Sequence, residues 1–78
     1  MPTPPAIDDL HALVMDRRPG AVLKVEGPFG EHGRWWLEVD GMPAVYDPAL
    51  GFGLFRGGDE EPRRWTGSVG EAAAAIAA

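Results

Sequence analysis

RWWLEVDGMPAVYD, running from Arg34 to Asp47, holds two alternating apolar runs on either side of Asp40-Gly41. Asp-Gly between such runs predicts a two-residue type I′ turn, because both central residues must take positive φ. A loop of that length pairs Val39 with Met42, Leu37 with Ala44 and Trp35 with Tyr46. All of these are apolar and share one face. The other face pairs Glu38 with Pro43, Trp36 with Val45, and Arg34 with Asp47, the last an opposite-charge pair. Turn chemistry and side-chain pattern agree on a single register. Pro43 marks its strand as an edge, or at least as one whose N–H side is unpaired at that point.

Upstream of the hairpin, Thr3-Pro4 reads as an N-cap followed by Pro at the first helical position, opening a helix from about Pro4 to Arg18. At helical spacing Ala6, Ile7, Leu10, Leu13 and Val14 form one apolar stripe, with Asp8, Asp9, Ala12 and Asp16 on the other side. Asp8 and Asp9 suit the positive end of the helix dipole, and Arg17 and Arg18 the negative end. Pro19-Gly20 stops the helix. Ala21 to Glu26 then predicts a strand with Ala21, Leu23 and Val25 on one face, followed by a loop from Gly27 to Gly33. Downstream, Phe52 to Arg56 and Arg63 to Thr66 predict two more strands, separated by an acidic loop at Gly57 to Pro62. Ser68-Val69-Gly70-Glu71 has the form of a capping box, with Ser68 as cap and Glu71 reaching back. It opens an Ala-rich helix whose inner side carries Val69, Ala72, Ala73 and Ile76. The expected fold is α+β: an N-terminal helix, an antiparallel meander of four to five strands around a central hairpin, and a C-terminal helix. A length of 78 residues without repeats predicts a single domain over 1–78.

Twelve Asp and Glu against seven Lys and Arg give a net charge of -5. That balance argues against direct binding of nucleic acid, which cationic side chains drive by displacing counterions. It argues equally against an anionic membrane surface. Cys is absent, which removes disulfides, thiolate metal sites and a thiol nucleophile. No signal peptide or membrane span is expected, so the expected setting is the cytoplasm of a bacterial cell. Asn and Gln do not occur, Lys24 is the only Lys, and Ala, Gly, Pro and Arg dominate, which fits GC-rich bacterial or phage coding.

Motifs for chemistry are sparse. Ser68 is the only Ser, and the capping box accounts for it. His11 one turn from Asp8, and His32 beside Glu31, lack the spacing of a metal site; His11 borders the apolar stripe and is expected to be partly packed. Gly51-Phe52-Gly53-Leu54-Phe55 matches part of the aromatic RNA-contact motif of the RNA-recognition fold. Its leading basic residue is replaced by Leu50, so core packing of Phe52 and Leu54 is the expectation. Asp59-Glu60-Glu61 reads as a solvated turn rather than an acid–base pair. No enzyme activity and no cofactor are expected.

Two features point to a protein partner. Trp36 and Val45 lie on the hairpin face away from the inferred core, Phe55 alternates onto the same face, and Trp is enriched at binding hot spots. Either the C-terminal helix covers this face or it is free to bind. The second feature is spread acidity: Asp8, Asp9 and Asp16 on the helix, Glu38 and Asp40 on the hairpin, and Asp59, Glu60 and Glu61 in the loop. Such a surface suits either solubility or a basic, nucleic-acid-binding groove on another protein.

In size, acidity, scarcity of motifs and GC-rich coding, the whole chain resembles the anti-CRISPR proteins of phages and prophages. It is most similar in character to those acting on type I Cascade surveillance complexes, type I-C among them. The resemblance implies inhibition by occupancy: the carboxylates and Trp36 would sit on a Cascade subunit and block recognition of the protospacer-adjacent motif. The alternatives are a small bacterial or phage protein-interaction domain and an immunity protein against a nuclease. A monomer or a homodimer is compatible with the pattern.

Overall fold

Asp40 and Gly41 both take positive φ, 49° and 85°, as a type I′ turn requires. In the computed structural model, which describes residues 3–55 and 60–77, this turn joins β2 (Arg34–Val39) to β3 (Met42–Asp47). The register is the one the sequence dictates: Val39 opposite Met42, Leu37 opposite Ala44, Trp35 opposite Tyr46, Glu38 opposite Pro43 and Trp36 opposite Val45. Arg34 and Asp47 complete the hairpin as an ion pair, with Arg34 Nε donating to Asp47 Oδ2 at 2.8 Å.

The remaining elements are α1 (Pro5–Arg17), β1 (Leu23–Phe29), β4 (Gly51–Leu54), β5 (Arg64–Thr66) and α2 (Val69–Ile76). The strands form one antiparallel sheet in the order β1-β2-β3-β4-β5. The architecture is therefore α+β, a helix, a five-stranded meander and a helix. Among the described residues no helix is long and apolar enough to cross a membrane.

Four local expectations need correction. First, β3 is an interior strand, so Pro43 does not mark an edge; the other half of the reading holds, an N–H side unpaired at that point. In a two-residue hairpin the residues flanking the turn exchange the ladder bonds, which turns the nitrogen of Pro43 away from β2. On that side β4 ends at Leu54, opposite Ala44, so the missing donor faces no strand. Second, β1 continues past Glu26 to Phe29 through a cis Gly27-Pro28 bond and a register shift, which shortens the expected loop. Third, Pro4 rather than Thr3 holds the N-cap of α1, with no side-chain bond, and Pro5 takes the first turn. Ile7, Leu10 and Val14 are buried, whereas Leu13, at the margin of the stripe, is 39% exposed. His11 is exposed rather than packed. Fourth, the capping box is half made. Ser68 Oγ accepts from the Glu71 N–H at 3.2 Å. The Glu71 carboxylate does not reach back to Ser68; it accepts from Thr66 Oγ1 at 2.7 Å and Arg64 at 2.9 Å, and Thr66 Oγ1 takes the Ser68 N–H instead.

The core lies on one face of the sheet. Trp35, Leu37, Val39, Ala44 and Phe52 are buried there with Ile7, Leu10 and Val14 of α1 and Ala72, Ala73 and Ile76 of α2. Both helices thus cover the same face, packed side by side. Ala72 and Ala73 keep α2 close to the sheet, since short side chains allow near approach. Phe52 packs its ring 4.9 Å from that of Tyr46 inside this core. Phe52, the first aromatic of the partial RNA-contact motif, is therefore a core residue, 1% exposed, with Leu54 packed against the same core.

Candidate functional site: the open face of the sheet

Strand alternation that buries Trp35 and Leu37 must turn Arg34, Trp36 and Glu38 to the opposite face. The same parity places Lys24 and Glu26 of β1, Val45 and Asp47 of β3, Gly53 of β4 and Trp65 of β5 there. One row crosses the whole sheet as Glu26, Trp36, Val45, Gly53 and Trp65. None of these belongs to the core shared with the helices. The face left uncertain by the sequence is therefore not covered by α2.

The row is apolar in the middle and charged at the rim. Phe55, as its alternation suggested, joins Trp36, with ring centroids 5.7 Å apart and planes tilted by 60°. Gly53 leaves a gap in the strand surface, and Pro62 folds back into it. A Cβ at Gly53 would come within 2.8 Å of both Pro62 and Val45. At the far side, the Arg34 guanidinium lies over the Trp65 ring, 5.2 Å from its centroid. Arg34, Leu50, Glu61, Pro62 and Trp65 line a shallow recess of about 260 Å³. The result is a continuous strip of Trp36, Phe55, Val45, Pro62 and Trp65, each half-buried by its neighbours.

Two carboxylates here have distinct roles. Glu38 Oε1 accepts from the Trp36 indole N–H at 3.3 Å, which fixes the ring orientation. Asp47 is buried and structural. It binds Arg34 through one oxygen, and the other accepts from the Ala49 N–H at 2.8 Å and the Leu50 N–H at 3.3 Å. The hydrogen bond from Arg34, then that from Ala49, holds its carboxyl below the usual 3.8. Asp47 thus closes the β3–β4 turn and positions the cation that stacks on Trp65.

The acidic residues singled out in the sequence do not converge. Trp36 and Glu38 share the open face, and Glu61 borders it at the recess. Glu60 is exposed beside Glu61, and Asp59 lies outside the described residues. Asp40 sits at the hairpin tip, with Oδ1 accepting from the Val22 N–H at 3.0 Å and Oδ2 3.1 Å from Arg18. Its carboxylate ties β1 and the end of α1 to the turn. Asp8, Asp9 and Asp16 are exposed on α1, in the helix layer on the other side of the sheet. Sequence reasoning missed Trp65, Pro62 and Glu26. Trp65 and Glu26 follow from strand parity once the register is extended beyond the hairpin; the return of Pro62 onto Gly53 leaves no local signal.

Among the described residues no group of His, Asp and Glu could hold a metal ion. No protein family, curated protein or solved structure matches the chain.

Proposed function

We propose that this chain is an anti-CRISPR inhibitor that acts by occupancy, docking its open sheet face on a basic, DNA-reading surface of a type I Cascade complex. The observation that carries a binding role is the uncovered aromatic strip with carboxylates at its rim. Aromatic side chains in a half-buried strip supply large contact area at little cost in conformational entropy, and such residues dominate binding energy. Among the described residues, Glu26, Glu38 and Glu61 around that strip outnumber the free cation Lys24 on the same face, where Arg34 is already paired with Asp47; with the net charge of -5 they favour a partner lined by Arg and Lys and speed its encounter. Target DNA would compete for the same cations. The choice of Cascade as partner rests on the resemblance in size, acidity and composition described above.

The test is target-DNA binding by purified type I Cascade, with and without this protein, across a salt series. DNA binding should fall when the protein is added and recover as salt rises. Trp36→Ala, and separately Glu38→Lys with Glu61→Lys, should weaken inhibition, with each lost hot spot costing about 2 kcal/mol, or some thirtyfold. Reversing Asp8, Asp9 and Asp16 together, which takes the net charge from -5 to +1, should slow association but spare the docked contact, and so weaken inhibition less than Glu38→Lys with Glu61→Lys. Unchanged DNA binding and no capture of Cascade or its recruited nuclease would overturn the anti-CRISPR reading. Loss of inhibition through α1 alone would move the contact to the helix layer.

A further inference from the structure

β1 is an edge of the sheet, and its free side has a definite main-chain pattern. Val22 donates its N–H to Asp40 Oδ1, and its carbonyl accepts from the Asp40 N–H, each at 3.0 Å. Strand alternation then turns the main-chain groups of Lys24 and Glu26 toward β2, where they stand opposite Glu38 and Trp36. Leu23 and Val25 turn theirs outward. Edge strands usually carry charges, Pro or bulges that oppose pairing. In β1 the register shift and Pro28 do so beyond Glu26, whereas over Leu23 to Glu26 the only charges are Lys24 and Glu26, of opposite sign and flanking Val25. Both are exposed, and the ion pairs found among the described residues do not join Lys24 to Glu38 across the β1–β2 ladder.

From this pattern we infer that β1 forms a homodimer interface, in which two copies pair antiparallel about Val25 into one continuous sheet. Rotation of a second copy about a two-fold axis at Val25 sets Lys24 of each copy opposite Glu26 of the other. The outward N–H and carbonyl of Val25 meet their equivalents. Lys24 and Glu26 fall at the closely spaced positions without hydrogen bonds, where side-chain pairs interact most strongly. Leu23 comes opposite Gly27, which has no side chain to obstruct it. Centring the axis on Lys24 would oppose two lysines, and centring it on Glu26 would oppose two glutamates. The charges therefore select one register. Val22, just before the strand, adds apolar surface beside it and is 58% exposed. Because the axis runs perpendicular to the sheet, both Trp36 faces end on the same side. The interface is small, so the dimer depends on concentration.

Sedimentation of the full chain from micromolar to millimolar concentration reads the association. The mass should rise from the 8.4 kDa of one chain toward twice that value. Lys24→Glu alone and Glu26→Lys alone each place like charges opposite one another, and each should weaken the dimer by about tenfold or more. An equimolar mixture of the two variants should restore association, since every facing pair is then opposite in sign. Val25→Pro, which removes the outward N–H, should give a monomer with an unchanged far-ultraviolet circular dichroism spectrum. A chain that stays monomeric at millimolar concentration overturns the inference. So do single variants that dimerise as tightly as the parent, or a mixture that does not recover.

Discussion

Trp35 and Trp36 are adjacent in sequence and sit on opposite faces of the same strand, so truncating each in turn separates stability from binding. Trp35 is 7% exposed within the core, and its ring lies against the backbone of Gly27, where an added Cβ would come within 3.1 Å of it. Trp35→Ala opens a cavity between sheet and helices, at a cost of about 3–5 kcal/mol. A chain of this length has a total stability of roughly 4–12 kcal/mol, taking ~0.05–0.15 kcal/mol per residue. That one truncation therefore removes a large share of the stability. Trp36 is half-buried on the open face. Trp36→Ala forfeits its ring contact with Phe55, worth about 0.5–1.5 kcal/mol, and leaves no closed cavity. Solvent replaces the 3.3 Å bond to Glu38. The assay is equilibrium urea unfolding followed by far-ultraviolet circular dichroism, because both variants lose a fluorophore. With a slope of ~1 kcal/mol per molar urea, the midpoint should fall by about 1 M for Trp36→Ala and by about 3 M or more for Trp35→Ala. Equal losses would mean that both faces are packed, and the open face would cease to be a candidate site.

Two further outcomes test the local physics. Gly51 has a φ of +89°, and an added Cβ there would run into the Thr66 carbonyl oxygen; Gly30 has a φ of +71° but open space around it. Gly51→Ala should therefore cost about 2–4 kcal/mol, from backbone conformation plus overpacking, and Gly30→Ala about 1–2 kcal/mol from backbone alone, both read by thermal unfolding; equal costs would contradict the close approach of β4 to β5. In acid, Asp47 and Glu71 both have carboxyls held below their ordinary values of 3.8 and 4.5, Asp47 first by Arg34 and Glu71 first by Thr66. Groups depressed in this way add stability that is complete above the unfolded values and is lost as pH falls through the folded ones. Stability should thus decline below about pH 4.5, and Asp47→Asn should be less stable at neutral pH with a shallower acid limb; parallel limbs for parent and variant would refute the role of Asp47.

The hairpin was legible because two independent constraints act within fourteen residues of sequence. Asp40-Gly41 fixes the turn by its φ angles, and the period-two pattern fixes which residues face each other. The α2 cap was legible for a similar reason: Ser68 and the Glu71 N–H are local partners. The failures arise where a distant group competes for a local one. Glu71 is drawn from Ser68 by Thr66 and Arg64, which β5 brings alongside. Pro43 records only that one donor is missing, and the structure accommodates it beyond the end of β4 rather than at a sheet edge.

The candidate site divides along the same line. Trp36, Val45 and Phe55 were readable from parity, whereas Pro62 in the gap at Gly53 and Arg34 over Trp65 depend on where β4, β5 and the intervening loop meet. Charge was the least legible feature, because a sum has no direction. The sheet separates Asp8, Asp9 and Asp16 from Glu38 and Glu61, and Asp40 is taken up in holding β1 to the turn. A flat basic surface can meet only one of these sides. The side that joins aromatic area to carboxylates is the open face, and it alone offers both an anchor and electrostatic steering. Because Trp36, Glu38 and Glu61 lie outside the core shared by sheet and helices, substitutions at these three can change binding while the fold persists, and that separation makes the proposed function testable residue by residue.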